Sequence, residues 1–185
     1  TIVVFLTDNG PNGFRYNAEM KGIKGWVDEG GVRVPLLVRY PGVVPAGKTL
    51  HGLASHIDLL PTLHALCGLE FKEINPLDGI DLSPFMLNSD TIPERMIFSL
   101  QVHSTLETNS VSVRTPKYRL VILPNGATSL YNMTDDPGQK NNIAADEATI
   151  TALLTDTIDG WFADVTRELP YQPAIPLGYK EAPEV

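Results

Sequence analysis

The chain begins with an apolar, β-branched run that ends abruptly at two polar side chains. Residues 2–7 read Ile-Val-Val-Phe-Leu-Thr and are followed by Asp8, Asn9 and a Gly10-Pro11 turn. A continuous apolar run of this length is typical of a parallel strand that is buried on both faces. Ligands of open α/β sheets bind beyond the carboxyl ends of such strands. The pattern therefore predicts a buried parallel strand over residues 2–7, with Asp8 and Asn9 where a site would lie.

The following residues predict a long loop, a second strand and a helix. Residues 8–31 are polar and rich in glycine, and loops of that length in compact domains are usually functional. Residues 32–40 are again largely apolar and predict a strand. A helix is predicted to begin near Ser55 or Asp58, either of which can cap its first amide groups, and to end at Gly68.

The pattern changes after about residue 95. Apolar residues between 150 and 165 recur every three or four positions, which predicts an amphipathic helix over about 147–166. The tail from Pro170 is rich in proline and is predicted to be irregular. Before the helix, turn residues separate four short strand-like runs, which predict a small antiparallel sheet that the helix covers. These runs are Met96–Leu100, Val111–Arg114, Tyr118–Leu123 and Ser129–Asn132.

Together these patterns predict an α/β protein, with a sheet domain over residues 1–95 and a small subdomain over 96–185. Of the 185 residues, 43% are hydrophobic and 19% are charged, so the chain can form a substantial core. The net charge of −8 does not provide the positive surface that nucleic acids require, so no nucleic-acid partner is expected. No apolar run reaches the roughly 18 residues of a membrane span. The single cysteine, Cys67, excludes an internal disulfide and is predicted to be buried.

Three residues of the first loop have side chains suited to binding an ion. Asp8 and Asn9 offer a carboxylate and an amide oxygen, which suit Ca²⁺ or Mg²⁺ better than a soft metal. The alternative is an ordinary turn, because Asp-Asn-Gly-Pro is also common turn chemistry. Lys24 lies between two glycines and can hold an anionic oxygen as a compact positive charge, or it can be a solvated surface lysine. Glu29 is either an internal partner for a lysine or arginine or an exposed acid.

Two histidines are weaker candidates for contact with a substrate. His56 lies just before the predicted start of the helix, and His103 follows the first strand of the small sheet. A lone histidine has a structural role more often than a functional one, so both remain open at this point.

Three motifs in one order resemble the sulfatases of the alkaline-phosphatase-like superfamily. They are T-D-N-G-P at residues 7–11, K-G-x-x-x-E-G-G-V-R-x-P at 24–35 and S-x-x-D-L-L-P-T-L at 55–63. The segments 111–120 and 130–137 are similar to the C-terminal subdomain of that family. The resemblance covers nearly all of residues 1–165.

The resemblance to arylsulfatase-like enzymes implies roles for individual residues. Asp8 and Asn9 match two of the four protein ligands of a divalent cation, usually Ca²⁺, and Lys24 matches a catalytic lysine that contacts the sulfate group of the substrate. The implied reaction hydrolyses a sulfate ester to an alcohol and inorganic sulfate. Glu29 and the two glycines after it match a segment that shapes the loop.

The chain also departs from the family pattern. It contains no C/S-x-P-x-R motif, from which the family makes its formylglycine nucleophile, and it has only half of the cation ligands. We therefore expect this chain to be the C-terminal part of a sulfatase and to be inactive alone. Both formylglycine and the other ligands are expected in a preceding N-terminal part. Periplasmic or secreted localisation is the family expectation.

Two alternatives remain. A phosphodiesterase or phosphonate hydrolase of the same superfamily would use the cation and lysine in a similar way. A non-catalytic module that packs or forms homo-oligomers through an exposed sheet surface is the second alternative, because bare apolar faces and unpaired strand edges favour association.

Overall fold

The computed structural model describes residues 1–69, 76–88, 91–102 and 109–167, and it confirms the α/β class. The strands form two separate sheets, one of two strands and one of four. The strands are β1 (Val3–Leu6), β2 (Leu36–Arg39), β3 (Ile97–Val102), β4 (Asn109–Arg114), β5 (Tyr118–Ile122) and β6 (Thr128–Asn132). The helices are α1 (Glu29–Val32), α2 (Leu59–Leu66), α3 (Ser83–Leu87) and α4 (Ala148–Thr166).

The larger sheet is antiparallel, as predicted, and the structure shows it to be a meander in the order β3-β4-β5-β6. Strands β4 and β5 alternate between two covered faces. On one face Val113, Leu120 and Leu130 are fully buried and pack with Leu154 and Ile158 of α4. The predicted helix thus covers the sheet, and Trp161 of α4 stacks on Phe98 of β3 with ring centroids 4.8 Å apart.

The opposite face of this sheet is covered by the loop that precedes β2. Val27 from that loop packs with Val121, Tyr131 and Met133 in a second buried cluster. The side chains of Ser112 and Arg119 are also buried there. We call this contact between residues 21–29 and residues 112–139 the loop–sheet junction.

The small sheet differs from the prediction of a buried parallel strand. Strand β1 pairs antiparallel with β2, with Phe5 opposite Leu37 and Val3 opposite Arg39. Even-numbered residues of β1 are partly buried, but Val3, Phe5 and Leu37 are exposed. The apolar run predicted that both faces of β1 are buried, but the described residues bury only one face. The loop between the strands reverses the chain, so that the strands meet antiparallel.

The covered side of the small sheet packs on α2 and α3. Leu82, Met86 and Ile92 form the buried centre of this cluster, and Val38 of β2 packs against it. Asp58 is completely buried before α2, where its carboxylate accepts hydrogen bonds from the Ser55 amide at 2.7 Å and the Ile80 amide at 2.9 Å. Arg95 also donates to Asp58, at 2.7 and 2.8 Å. Asp58 therefore links the Ser55 amide to the segments around Ile80 and Arg95. It forms a capping box with Ser55, the other residue that was predicted to cap the helix start.

Cys67 lies at the end of a helix, where its environment differs from the prediction. Helix α2 ends at Leu66, and Cys67 is exposed beside the left-handed Gly68, so the prediction that Cys67 is buried was wrong. The reason is its position at the end of the helix, past the last residue that packs inward. Among the described residues no helix is long and apolar enough to cross a membrane. The division of the chain near residue 95 stays a prediction.

Candidate functional site

Asp8 and Asn9 lie directly after β1, on a segment that packs tightly against another loop. The Gly10 amide donates to the Gly31 carbonyl at 2.8 Å. A Cβ atom at Gly10 would lie 1.9 Å from the Gly30 carbonyl oxygen, so only glycine fits there. The absence of a side chain at residue 10 therefore allows two backbone segments to meet.

Lys24 reaches the same place from the opposing loop. Its amide donates to the Pro11 carbonyl at 3.0 Å, and its Nζ lies 4.0 Å from Oδ2 of Asp8. The Lys24 side chain is 53% exposed and that of Asp8 is 82% exposed, so both remain accessible to a ligand. The structure thus brings two of the predicted site residues together, although 16 positions separate them in the sequence.

One of the two histidines lies at the site. His56 is exposed, and its Nε2 lies 3.1 Å from the carbonyl oxygen of Thr7, immediately before Asp8. At this distance a protonated Nε2 donates to the carbonyl. His103 lies outside the described residues.

Asp8, Asn9 and His56 line a common cleft of about 1100 Å³ between the two sheets. Lys24 is not among the residues that line this cleft, and it contacts Asp8 from outside it. Five cationic side chains also line the cleft, together with Glu29, which pairs with three of them. The five are Arg33, Arg39, Lys48, Arg114 and Arg119.

The donor atoms at residues 8 and 9 fit a hard cation in type but not in number. A carboxylate and an amide oxygen are the groups that Ca²⁺ prefers, and Ca²⁺ takes about six to eight oxygen ligands. Within the described part of the chain, no group of three or more His, Cys, Asp or Glu side chains is placed to hold a metal. These residues can therefore supply part of a cation site, and further ligands must complete it.

Glu29 is buried in the loop–sheet junction, so of its two predicted alternatives the structure confirms the internal partner of an arginine and not the exposed acid. Its Oε2 accepts from Arg119 Nη2 at 2.6 Å and lies 3.5 Å from Nε of Arg114. Arg33 donates to the other carboxylate oxygen at 3.3 Å. Burial alone would raise the pKa of Glu29, but the charges of Arg119 and Arg114 outweigh burial and lower the pKa below its usual value. Glu29 therefore stays ionised inside the protein.

Sequence reasoning did not single out the residues that hold this loop from the sheet side. Arg119 also donates to the Val27 carbonyl at 2.8 Å, and Gln139 bonds both the Glu29 amide at 2.7 Å and the Asp28 carboxylate at 3.0 Å. Tyr131 accepts from the Lys21 ammonium at 2.8 Å. The available signal was alternation, because Arg119 and Tyr131 each neighbour a leucine that faces α4 and must therefore face the loop.

Lys21 shows how this junction changes the environment of a charged group. Its Nζ lies 3.2 Å from the Asp28 carboxylate and 4.9 Å from the centroid of the Tyr131 ring. Burial lowers the pKa of Lys21, but the hydrogen bond to Tyr131 and the charge of Asp28 together raise the pKa above its usual value. The Lys21 ammonium is therefore held in its charged form.

Comparison with known families decides the identity. The family model described as "N-sulphoglucosamine sulphohydrolase, C-terminal" matches residues 23–160, which include Lys24, α4 through Gly160 and the whole loop–sheet junction apart from residues 21 and 22. The chain belongs to the sulfatases. The predicted family resemblance is confirmed.

Individual sulfatases agree with this assignment. The chain is 33% identical to arylsulfatase A of Bos taurus over 83% of its own length and 36% of that relative's length. Among solved structures, Ps i-CgsB superposes with a TM-score of 0.74 at 26% identity, over 86% of this chain and 36% of the other. BT4656, solved in complex with its substrate D-glucosamine-2-N,6-O-disulfate, has a TM-score of 0.73 at 23% identity, over 91% and 35% of the two chains, and supports the fold alone. This sulfatase chain thus spans about a third of the length of the relatives it matches.

Proposed function

We propose that this chain is the C-terminal part of a sulfatase that hydrolyses sulfate esters to an alcohol and inorganic sulfate. The family match supports the reaction class. The observation that carries the site assignment is the approach of Lys24 Nζ to within 4.0 Å of the Asp8 carboxylate. A cationic side chain and oxygen donors for a cation thus lie side by side, and both are accessible.

The proposed role of Lys24 is to stabilise negative charge on the sulfuryl oxygens. A sulfate ester carries its charge on these oxygens, and positioned cationic groups lower the barrier by interacting most strongly with charge in the transition state. The Lys24 backbone is fixed by its bond to Pro11, so its ammonium approaches the site from a defined direction. A Ca²⁺ ion held by Asp8, Asn9 and further ligands would supply a second positive charge to the same oxygens.

His56 remains our candidate for contact with the alcohol half of the substrate. It lines the cleft beside Asp8 and Asn9, and its exposed ring leaves room for a ligand. The proposal specifies the sulfate ester and leaves the alcohol open. The predicted contact of His103 and the predicted export of the intact protein stay predictions of the family resemblance.

Replacing Lys24 tests the proposal in the full-length protein that carries this chain. We expect Lys24→Ala to reduce kcat/KM for 4-nitrophenyl sulfate by about 10²- to 10³-fold. This is the usual effect of removing one group that stabilises negative charge in a transition state. Lys140→Ala is the matched control, because that exposed lysine pairs only with the exposed Glu19 among the contacts seen here. Wild-type activity in Lys24→Ala, or no sulfate-ester hydrolysis by the wild type, would contradict the proposal.

Parallel assays separate the proposal from its alternatives. A phosphonate hydrolase or phosphodiesterase would turn over 4-nitrophenyl phenylphosphonate or bis(4-nitrophenyl) phosphate faster than 4-nitrophenyl sulfate. A packing module would hydrolyse none of the three substrates. We expect the isolated chain to be inactive, because it has no C/S-x-P-x-R nucleophile motif.

Calorimetric titration of the isolated chain with Ca²⁺ tests the incomplete cation site. We expect weak binding that is lost in Asp8→Ala, because two oxygen donors fall short of the number that Ca²⁺ requires. Submicromolar affinity that depends on Asp8 would show that the chain holds a complete site. Binding that is unchanged in Asp8→Ala would remove residue 8 from the metal assignment.

A further inference from the structure

The loop that carries Lys24 is fastened to the sheet by polar contacts on both sides of that residue, partly buried on the N-terminal side and buried on the C-terminal side. On the N-terminal side, Lys21 bonds Tyr131. On the C-terminal side, the Val27 carbonyl accepts from Ser112 and Arg119, both at 2.8 Å. Lys24 thus lies on a short span between two attachments to the same face of one sheet.

Arg119 makes the most extensive attachment. One of its terminal nitrogens contacts both the Val27 carbonyl and the Ser112 hydroxyl, and the other forms the 2.6 Å bond with Glu29. Arg114 lies directly opposite Arg119 in the β4–β5 pairing. Two arginines in this arrangement repel one another, and the Glu29 carboxylate lies close to both. The geometry fixes the position of Glu29, and with it the end of the Lys24 loop.

The fastened loop is joined in turn to the segment that carries Asp8. Two backbone hydrogen bonds make this connection, from Lys24 to Pro11 and from Gly10 to Gly31. A third, from Gly30 to Lys21 at 2.7 Å, holds the loop itself together. The close approach of the backbones leaves little freedom for one segment to slide over the other, because even a Cβ at Gly10 would lie 1.9 Å from the Gly30 carbonyl oxygen. A displacement at the junction is therefore transmitted to the Asp8–Lys24 pair.

We infer that Arg119 is a positioning residue of this sulfatase, assisted by Tyr131, and that it sets the placement of Lys24 relative to Asp8 from the far side of the loop. The inference deepens the proposed function and rests on it for the chemical role of Lys24. Arg119 acts through its contacts with Val27 and Glu29 and not through contact with the substrate. Because small misplacements of catalytic groups can cost about a hundredfold in rate, the attachment affects turnover more than binding.

Site-resolved hydrogen exchange on the isolated chain tests the attachment without requiring activity. In Arg119→Met we expect the amides of Gly10, Lys24 and Gly30 to exchange at least about tenfold faster. The amides of Leu123 and Ile143, which bond the carbonyls of Ala127 and Leu130, serve as references and should change less than about twofold. Arg119→Lys should restore part of the protection, because it retains one of the charged contacts.

Lys140→Met is the matched control, since it removes another ion pair between the loop and the C-terminal region. That pair, Lys140 with Glu19, is solvent-exposed. We expect its loss to leave all five amides unchanged, because exposed pairs are screened. If Arg119→Met does not fold, Tyr131→Phe replaces it as the deciding variant, since it removes only the hydroxyl that accepts from Lys21.

Kinetics of the full-length protein give the second readout. We expect Arg119→Met, or Tyr131→Phe in its place, to lower kcat for 4-nitrophenyl sulfate by tenfold or more while KM changes less than about threefold. Uniform acceleration of loop and reference amides would indicate a general structural role and would overturn the inference. Unchanged loop amides, or a change confined to KM, would also overturn it. Absence of sulfatase activity in the wild type would refute the proposed function, and the exchange result would still decide the attachment.

Discussion

At the scale of single residues, Glu29 occupies an unusual place, because three arginines contact one buried carboxylate. Within the described ranges the Nε atoms of Arg114 and Arg119 have no hydrogen-bond partner, so the two side chains depend on Glu29 and nearby carbonyls for compensation. Buried charges are costly unless they are paired. The main stabilising effect of the Glu29 carboxylate is therefore to compensate the positive charges of Arg114 and Arg119, which would otherwise repel each other inside the protein.

Replacing Glu29 by glutamine should destabilise the protein strongly. Glutamine has nearly the same shape but no charge, so Arg114 and Arg119 would be left uncompensated inside the structure. We expect the free energy of unfolding in urea to fall by about 3–5 kcal/mol. Glu19→Gln is the control, with an expected change below about 1 kcal/mol, because the Glu19–Lys140 pair is exposed. Equal effects of the two substitutions would contradict this account.

The same carboxylate should make stability depend on pH. The folded pKa of Glu29 is below the unfolded value of about 4.3, so between the two values the unfolded state binds more protons. The stabilisation is complete above the unfolded pKa and is lost as pH falls through the folded pKa. The difference in unfolding free energy between wild type and Glu29→Gln should be constant from pH 7 to 5 and should shrink below about pH 4. A difference that already shrinks above pH 5 would indicate a raised pKa instead.

Individual site residues were predictable where their chemistry is local. Asp8, Asn9 and Lys24 stand out because polar groups follow an apolar run or lie between glycines, and the structure places Asp8 beside Lys24. Arg119 was not identified, since nothing in its own neighbourhood indicates that its partner lies 90 positions earlier. A long-range ion pair becomes visible only when the fold brings two segments together.

At the scale of elements, helix α4 follows the hydrophobic pattern closely. Two adjacent leucines illustrate its two sides: Leu154 is 4% exposed in the core, and Leu153 is 59% exposed. The period of 3.6 residues alone was enough to predict the helix, and its ends agree within one residue with those expected.

This contrast makes a direct test of the core. Leu154→Ala should lower the free energy of unfolding by about 2–5 kcal/mol, because it removes buried methyl groups and leaves a cavity beneath the sheet. Leu153→Ala should change it by less than about 0.5 kcal/mol. Urea denaturation of the two variants provides the measurement. A large loss in both would mean that the outer side of α4 is covered in solution.

The orientation of β1 shows where element prediction failed. Its apolar run correctly indicated a strand, but a run of residues does not specify its neighbour. Burial on both faces and parallel pairing both depend on what packs around the strand, and in the described residues the neighbour is β2 in antiparallel register. The four strands of the meander were easier to predict, because the sequence between consecutive strands is too short for the crossover that a parallel pair requires.

At the scale of the whole molecule, the open face of the small sheet leaves apolar side chains uncovered by the rest of the described residues. Phe5 is 57% exposed and Leu37 is 63% exposed, and they are direct cross-strand partners. Apolar patches of this kind commonly serve as interaction surfaces. If the chain associates through an exposed sheet surface, as predicted, this face with Phe5 and Leu37 is where we expect the contact.

Light scattering over a range of concentrations tests this location. We expect the isolated chain to associate as concentration rises, and the double variant Phe5→Thr with Leu37→Thr to remain monomeric. Threonine keeps the preference for a strand while reducing the apolar area. Leu69→Thr, at another exposed leucine, is the control and should associate like the wild type. A monomeric wild type at all concentrations would count against association.

The loop–sheet junction also has a consequence for how the protein is made. Its contacts join Glu29 to Gln139, and 110 positions separate the two residues. At a translation rate of about 5–20 residues per second, Gln139 is synthesised roughly 5 to 20 s after Glu29. During that interval the β-sheet against which the Lys24 loop packs has not yet been completed. The residues of the candidate site are thus translated before the sheet that supports them, and they acquire their arrangement only when that later segment has left the ribosome.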